Sequence, residues 1–91
     1  MNAVKSQLQS VSDLVHARKI GRFNLDAAVE AFLANPKIGA FDLAPGFTLD
    51  LTVAVRADRH ATATLGEPTA KGGSRRAAVR SALLLARPIE A

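Results

Sequence analysis

The chain has 91 residues, 48% of them apolar and 22% charged, with a formal net charge of +4, which fits one globular domain over residues 1–91 and excludes a disordered chain. It has no Cys, so disulfides, thiolate metal sites and a cysteine nucleophile are excluded, and a reducing cytoplasm suits it. No window approaches the roughly 18 apolar residues of a membrane span and the polar N-terminus lacks an apolar leader core, so the expectation is a cytoplasmic protein with no membrane partner.

The first predicted element is a helix over residues 3–19, where Val4, Leu8, Val11 and Val15 form an aliphatic stripe and Gly21 ends the run. The stripe is narrow and its other face is rich in uncharged Ser and Gln. This helix, residues 1–20 with its flanks, packs on its own domain or pairs with a second copy as a homodimer. Asn24 reads as the N-cap of a second helix, with Asp26 in the first turn and Leu25, Val29, Phe32 and Leu33 on the buried face. Asn35-Pro36 stops it.

From Ile38 the period changes to two. Ile38–Leu43 is predicted as a short strand, Ala44-Pro45-Gly46 as a turn, and Phe47–Val55 as the clearest strand, with Phe47, Leu49, Leu51, Val53 and Val55 on one face. Asp50 then falls on the solvated face of that strand. Arg56–Arg59 makes a second turn, and His60–Leu65 a third strand with Ala61, Ala63 and Leu65 inward. Ser74 is expected to cap a last helix that Pro88 stops. The fold class is therefore α+β, a three-stranded antiparallel sheet packed on helices in the order α-α-β-β-β-α, with residues 24–87 as the core unit.

The positive charge is uneven. Lys71, Arg75, Arg76, Arg80 and Arg87 follow one another with no acid among them. On a helix Arg76, Arg80 and Arg87 fall within about 40° of one another, opposite Ala78, Val79, Ala82, Leu85 and Ala86. Lys71 and Arg75 stand at the N-terminal end of this ridge, beside amides that have no intrahelical partner and attract phosphate. Gly72 and Gly73 permit an amide nest, and Ser74 can cap the helix or donate to an anion. The alternative is that the arginines only keep an apolar helix in solution. The Gly-Lys-Ser/Thr ending of a nucleotide-binding phosphate loop is missing.

The strand pair followed by "KGGSRRAAVRSALLLA" resembles the C-terminal half of double-stranded RNA-binding domains. Their "G-x-S-K-K-x-A" signature is matched by Gly72, Ser74, Arg75, Arg76, Ala78 and Ala82, with Arg for Lys. The resemblance covers residues 47–86, and residues 24–46 loosely. It implies a three-stranded sheet backed by helices, and a helix start that straddles duplex phosphates through Lys71, Arg75 and Arg76.

Two functional expectations follow. One is a non-enzymatic module that binds nucleic-acid backbone, duplex RNA or a nucleoprotein, through Lys71, Gly72, Gly73, Ser74, Arg75, Arg76, Arg80 and Arg87. The other is a protein-binding regulator using the same arginines against an acidic protein surface. That type is similar to phage- or plasmid-encoded inhibitors, including the anti-CRISPR class, which act on larger, sometimes ribonucleoprotein, complexes. His60, beside Arg59 and near Asp58 and Asp50, is weighed as a general base and read as a surface residue. His16 and His60 are too far apart in sequence to argue for a metal, and no cofactor is expected.

Overall fold

In the computed structural model, which describes residues 9–90, the first helix starts from a reciprocal cap. The Ser10 hydroxyl accepts from the Asp13 N–H at 3.2 Å, and the Asp13 carboxylate accepts from the Ser10 N–H at 3.1 Å. Helix α1 is Val11–His16, shorter than the expected 3–19. Val4 and Leu8 of the expected stripe, and with them much of the expected pairing surface, lie outside the described residues. What stops α1 is a Schellman turn rather than Gly21. The Lys19 N–H donates to the Leu14 carbonyl at 2.9 Å and the Arg18 N–H to the Val15 carbonyl at 3.0 Å. Arg18 occupies the left-handed position, at φ 62°, that glycine usually fills in this motif.

Helix α2, Arg22–Ala34, begins three residues earlier than an Asn24 cap would place it. Gly21 is the N-cap, and the Asn24 side chain reaches back to accept from the Gly21 N–H at 3.2 Å. Asn24 thus serves the helix start from inside, and Asp26 falls beyond the first turn. Leu25, Ala28, Val29 and Phe32 are buried, and Asn35 ends the helix as expected before Pro36.

Strand β1, Ala40–Ala44, pairs antiparallel with β2, Phe47–Asp50, in the register Phe41↔Leu49 and Asp42↔Thr48. Gly46, at φ 87°, supplies the positive φ that a Pro-Gly type II turn needs at its second central position. An irregularity between Asp42 and Ala44 lets the strands close around that turn. The sheet is this two-stranded hairpin, with the two-residue segment β3, Ile89–Glu90, bonded along β2.

The expected three-stranded sheet over residues 38–65 does not form. Strand β2 stops at Asp50, and residues 51–66 are two short helices, α3 (Leu51–Arg56) and α4 (Arg59–Gly66). Two aspartates impose the change. Asp50 accepts from the Val53 N–H at 2.9 Å and Asp58 from the Ala61 N–H at 2.8 Å, each as a helix N-cap. Thr52 locks the corner, donating to the Pro36 carbonyl at 2.8 Å and accepting from the Gly39 N–H at 3.1 Å. The alternation Leu51-Val53-Val55 therefore breaks up. Leu51 and Val55, one helical turn apart, are buried, whereas Val53 is 62% exposed. In α4 only Ala61 is fully buried; Ala63 is exposed and Leu65 partly buried.

Helix α5, Gly72–Leu85, lies in the middle and touches α1, α2, α3 and α4. It buries Ala78, Val79, Ala82 and Leu83, small enough to let four helices approach one axis. Leu85, expected on that face, is exposed, and Leu83 takes its place. The Val11 N–H donates to the Ala86 carbonyl at 2.8 Å, joining the start of α1 to the end of α5. Among the described residues there are five helices and the hairpin, in the order α-α-β-β-α-α-α followed by β3. The class remains α+β; the residues that form the strands, and the order of the elements, do not.

Because two side-chain caps convert a strand pattern into helices, Asp50→Ala and Asp58→Ala should each destabilise the fold by about 1 kcal/mol in urea unfolding. Asp50→Val, which strand propensity favours, should cost at least as much; a stabilised Asp50→Val variant would overturn the assignment.

Candidate anion-binding site

Helix α5 starts two residues before Ser74. Lys71 is the N-cap by backbone alone, with no side-chain hydrogen bond to the helix start, and Gly72, Gly73 and Ser74 form the first turn. Ser74 is therefore not the cap. Neither glycine has a positive φ, so the first turn is helical rather than an amide nest. A Cβ at Gly73 would meet nothing, and one at Gly72 would be in ordinary contact with the Arg76 side chain at 3.6 Å. Lys71 through Ser74 are all exposed, so the amides of this turn face open space. Arg75 folds back beneath them. Its Nε donates to the Ala70 carbonyl at 3.1 Å and its Nη2 to the Glu67 carbonyl at 3.2 Å, holding the loop before the helix in place. Two of its donors are thereby used, and its charge stays beside the helix start.

The expected basic ridge is not a ridge. Arg76 pairs with Glu30 at 2.6 Å, and Arg80 is ion-paired and hydrogen-bonded to Asp26. The carboxylates lie four apart on α2 and the guanidinium groups four apart on α5, crossed so that the two helices run antiparallel. Arg87, outside the helix, is exposed and engaged in an interaction of its own. Lys71, Gly72, Gly73, Ser74 and Arg75 of the expected site cluster together, and the Arg76 side chain reaches Gly72 while paired with Glu30; Arg80, paired with Asp26, stands a turn further along. The Arg76 hydrogen bond holds the Glu30 carboxyl below its ordinary value of 4.5; partial desolvation opposes this and the guanidinium charge reinforces it. The same bond raises Arg76.

Each Asp and Glu between residues 9 and 89 accepts a hydrogen bond from the fold. Asp13, Asp50 and Asp58 serve helix starts, and Asp26 and Glu30 hold arginines. Asp42 accepts from the Thr48 hydroxyl, and Glu67 from that of Thr69. The cations are not matched in this way. Arg76 and Arg80 pair with carboxylates and Arg87 has an interaction of its own, whereas Lys71 stands exposed at the α5 start and Arg75 is held by backbone carbonyls. A second group of cations lies at the corner between α1 and α2, where Arg18, Lys19 and Arg22 are exposed beside Phe23, itself 89% exposed. Sequence reasoning passed over Phe23, although it stands about 200° round the helix from Leu25 and so cannot share the buried stripe.

His60 lies on α4 rather than on a sheet face. It lines an open groove against α5 with Thr64, Glu67, Ser74 and Ser81. Among the described residues no group of three His, Cys, Asp or Glu side chains could hold a metal ion, and no helix is long and apolar enough to cross a membrane. Comparison of the chain with protein-family models, curated proteins and solved structures finds no match. The sheet implied by the likeness to double-stranded RNA-binding domains is absent, since α4 stands where its third strand would be.

Glu30 has a depressed folded-state pKa, so its ion pair stabilises the fold above the unfolded value near pH 4.5 and ceases to as pH falls through the lower folded value. Glu30→Gln should remove that acid-side component of the stability–pH curve, and high salt should shrink it. An unchanged curve in Glu30→Gln would show that the pair contributes nothing.

Proposed function

We propose that the protein is a non-enzymatic module that binds the phosphate backbone of nucleic acid at the start of α5. The reading is carried by one observation: the fold engages its described carboxylates internally while leaving cations exposed without them. At the α5 start Lys71 and the Arg75 guanidinium flank the exposed amides of Gly72, Gly73 and Ser74. A phosphate seated there meets the positive end of a helix and two cations. Arg76 and Arg80 are held by Glu30 and Asp26, so their charge is already matched and they add little to the contact.

Phosphate contact releases counterions, so affinity should fall steeply with salt for duplex RNA, duplex DNA and single strands alike. Lys71→Gln should weaken binding and reduce the salt slope by about 1. Gly73→Ala should stabilise the helix by about 0.5–1 kcal/mol while impairing binding, because a methyl group would crowd the amides. Arg76→Gln should bind almost as wild type. Absence of binding to every nucleic acid at low salt removes the reading.

A second reading, a protein-binding regulator, has its own observation. Val53, Leu85 and Ile89 are exposed around adjoining shallow pockets that share Ala54, Ala57 and Ala86. A stoichiometric protein partner that survives nuclease treatment and is lost in Ile89→Asp would favour it over backbone binding.

A further inference from the structure

We propose that the corner between α1 and α2 is a contact for an unpaired nucleic-acid base, with Phe23 as the stacking platform and Arg18, Lys19 and Arg22 holding the flanking phosphates. The proposal rests on the nucleic-acid reading above and narrows the ligand to one with a single-stranded segment.

Among the described residues Phe23 is the most exposed of the large apolar side chains, at 89%, and takes no part in the core. It sits at the second position of α2, on the side of the helix away from Leu25, Val29 and Phe32. A single exposed apolar residue is ordinary by itself. Its neighbours are what distinguish it.

Two of the three cations occupy positions that the backbone disfavours for them. Arg18 is held at φ 62° at the glycine position of the Schellman turn, where its Cβ is a strain that glycine would relieve. Arg22 is the first residue of α2, where the helix dipole repels a cation, and the first turn carries no acid to offset it. The nearest carboxylates in sequence are occupied: Asp13 by the cap of α1 and Asp26 by Arg80. The charge at this corner is thus not used by the fold.

A flat aromatic face among cations that track a backbone is the chemistry of single-strand recognition, since every base has a π-face to stack. An anionic bilayer fits less well. A helix lying on a membrane buries a whole apolar face, and the apolar face of α2 is already in the core, leaving one ring. Because α2 and α5 run antiparallel through Asp26–Arg80 and Glu30–Arg76, this corner is at the opposite end of α5 from Lys71. The two sites are separated by the length of that helix, about 20 Å. A strand touching both would run along the molecule.

The test uses a fluorescein-labelled oligothymidylate and a blunt DNA duplex, titrated at low salt by anisotropy. Phe23→Ala should weaken oligothymidylate binding about tenfold and leave duplex binding and thermal stability unchanged. Arg18→Gly should raise the melting temperature yet weaken the oligonucleotide complex. The chain has no Trp or Tyr, so Phe23→Trp introduces a unique indole. Its fluorescence should be quenched by oligothymidylate and not by inorganic polyphosphate. If Phe23→Ala binds oligothymidylate as wild type does, or the indole is unquenched in the complex, the corner is overturned while backbone binding stands. If no nucleic acid binds at all, both readings fall. A blue shift with phosphatidylserine-containing vesicles and no response to the oligonucleotide overturns the proposal in favour of a membrane surface.

Discussion

The burial of one narrow, small-residue face on α5 is the constraint from which the rest of this structure follows. Ala78, Val79, Ala82 and Leu83 leave so little bulk on that side that α1, α2, α3 and α4 can all reach the same helix. A core without Trp or Tyr has few large anchors, and its apolar gain must come from close approach along a shared axis. The hairpin β1–β2 lies at the side of this arrangement, with Leu43 and Leu49 turned into the same core.

Short helices in such a core need help to start. Helices α1, α3 and α4 are too brief to be stable alone, and each begins on an acidic or hydroxyl side chain that satisfies its first amides. The acids that might have balanced the surface charge are spent inside the fold. The two long helices differ: neither Gly21 of α2 nor Lys71 of α5 caps with its side chain, and cations stand beside both starts. Charge surplus and open amides coincide at α5 because the sequence places Lys, Gly, Gly and Ser where the short helices carry a capping side chain.

Residues 47–65 show why a sequence read by period alone misplaces elements. In "FTLDLTVAV" Leu51 and Val55 satisfy a period of two and a spacing of four equally well, and β-branched content tips the reading toward a strand. The deciding signal is non-periodic: Asp50 and Asp58, each three residues before the amide it accepts from. Helix α2, the Pro45-Gly46 turn and the buried alanines of α5 were readable because their period and punctuation agree. The neutralised ridge was readable in principle. Asp26 and Glu30 have the same spacing as Arg76 and Arg80, and two such pairs on helices of one small domain invite an antiparallel match. The exposure of Phe23 follows from its angle to Leu25. The left-handed Arg18 had no signal, since nothing in the sequence marks that residue as a substitute for glycine.

The same two ion pairs have a consequence for how α2 and α5 find each other. A face in which Ala78, Val79 and Ala82 accompany Leu83 is shallow, so the apolar contact alone sets the alignment of the two helices less sharply than bulkier side chains would. In the observed alignment both carboxylates meet a guanidinium. Displaced by one turn, about 5.4 Å, only one of the two could, with either Asp26 or Glu30 left opposite an uncharged position. Exposed pairs add little to stability, yet here they discriminate between neighbouring alignments and reinforce the choice made by Leu83, Leu25 and Phe32. They act as an index mark on a shallow rail.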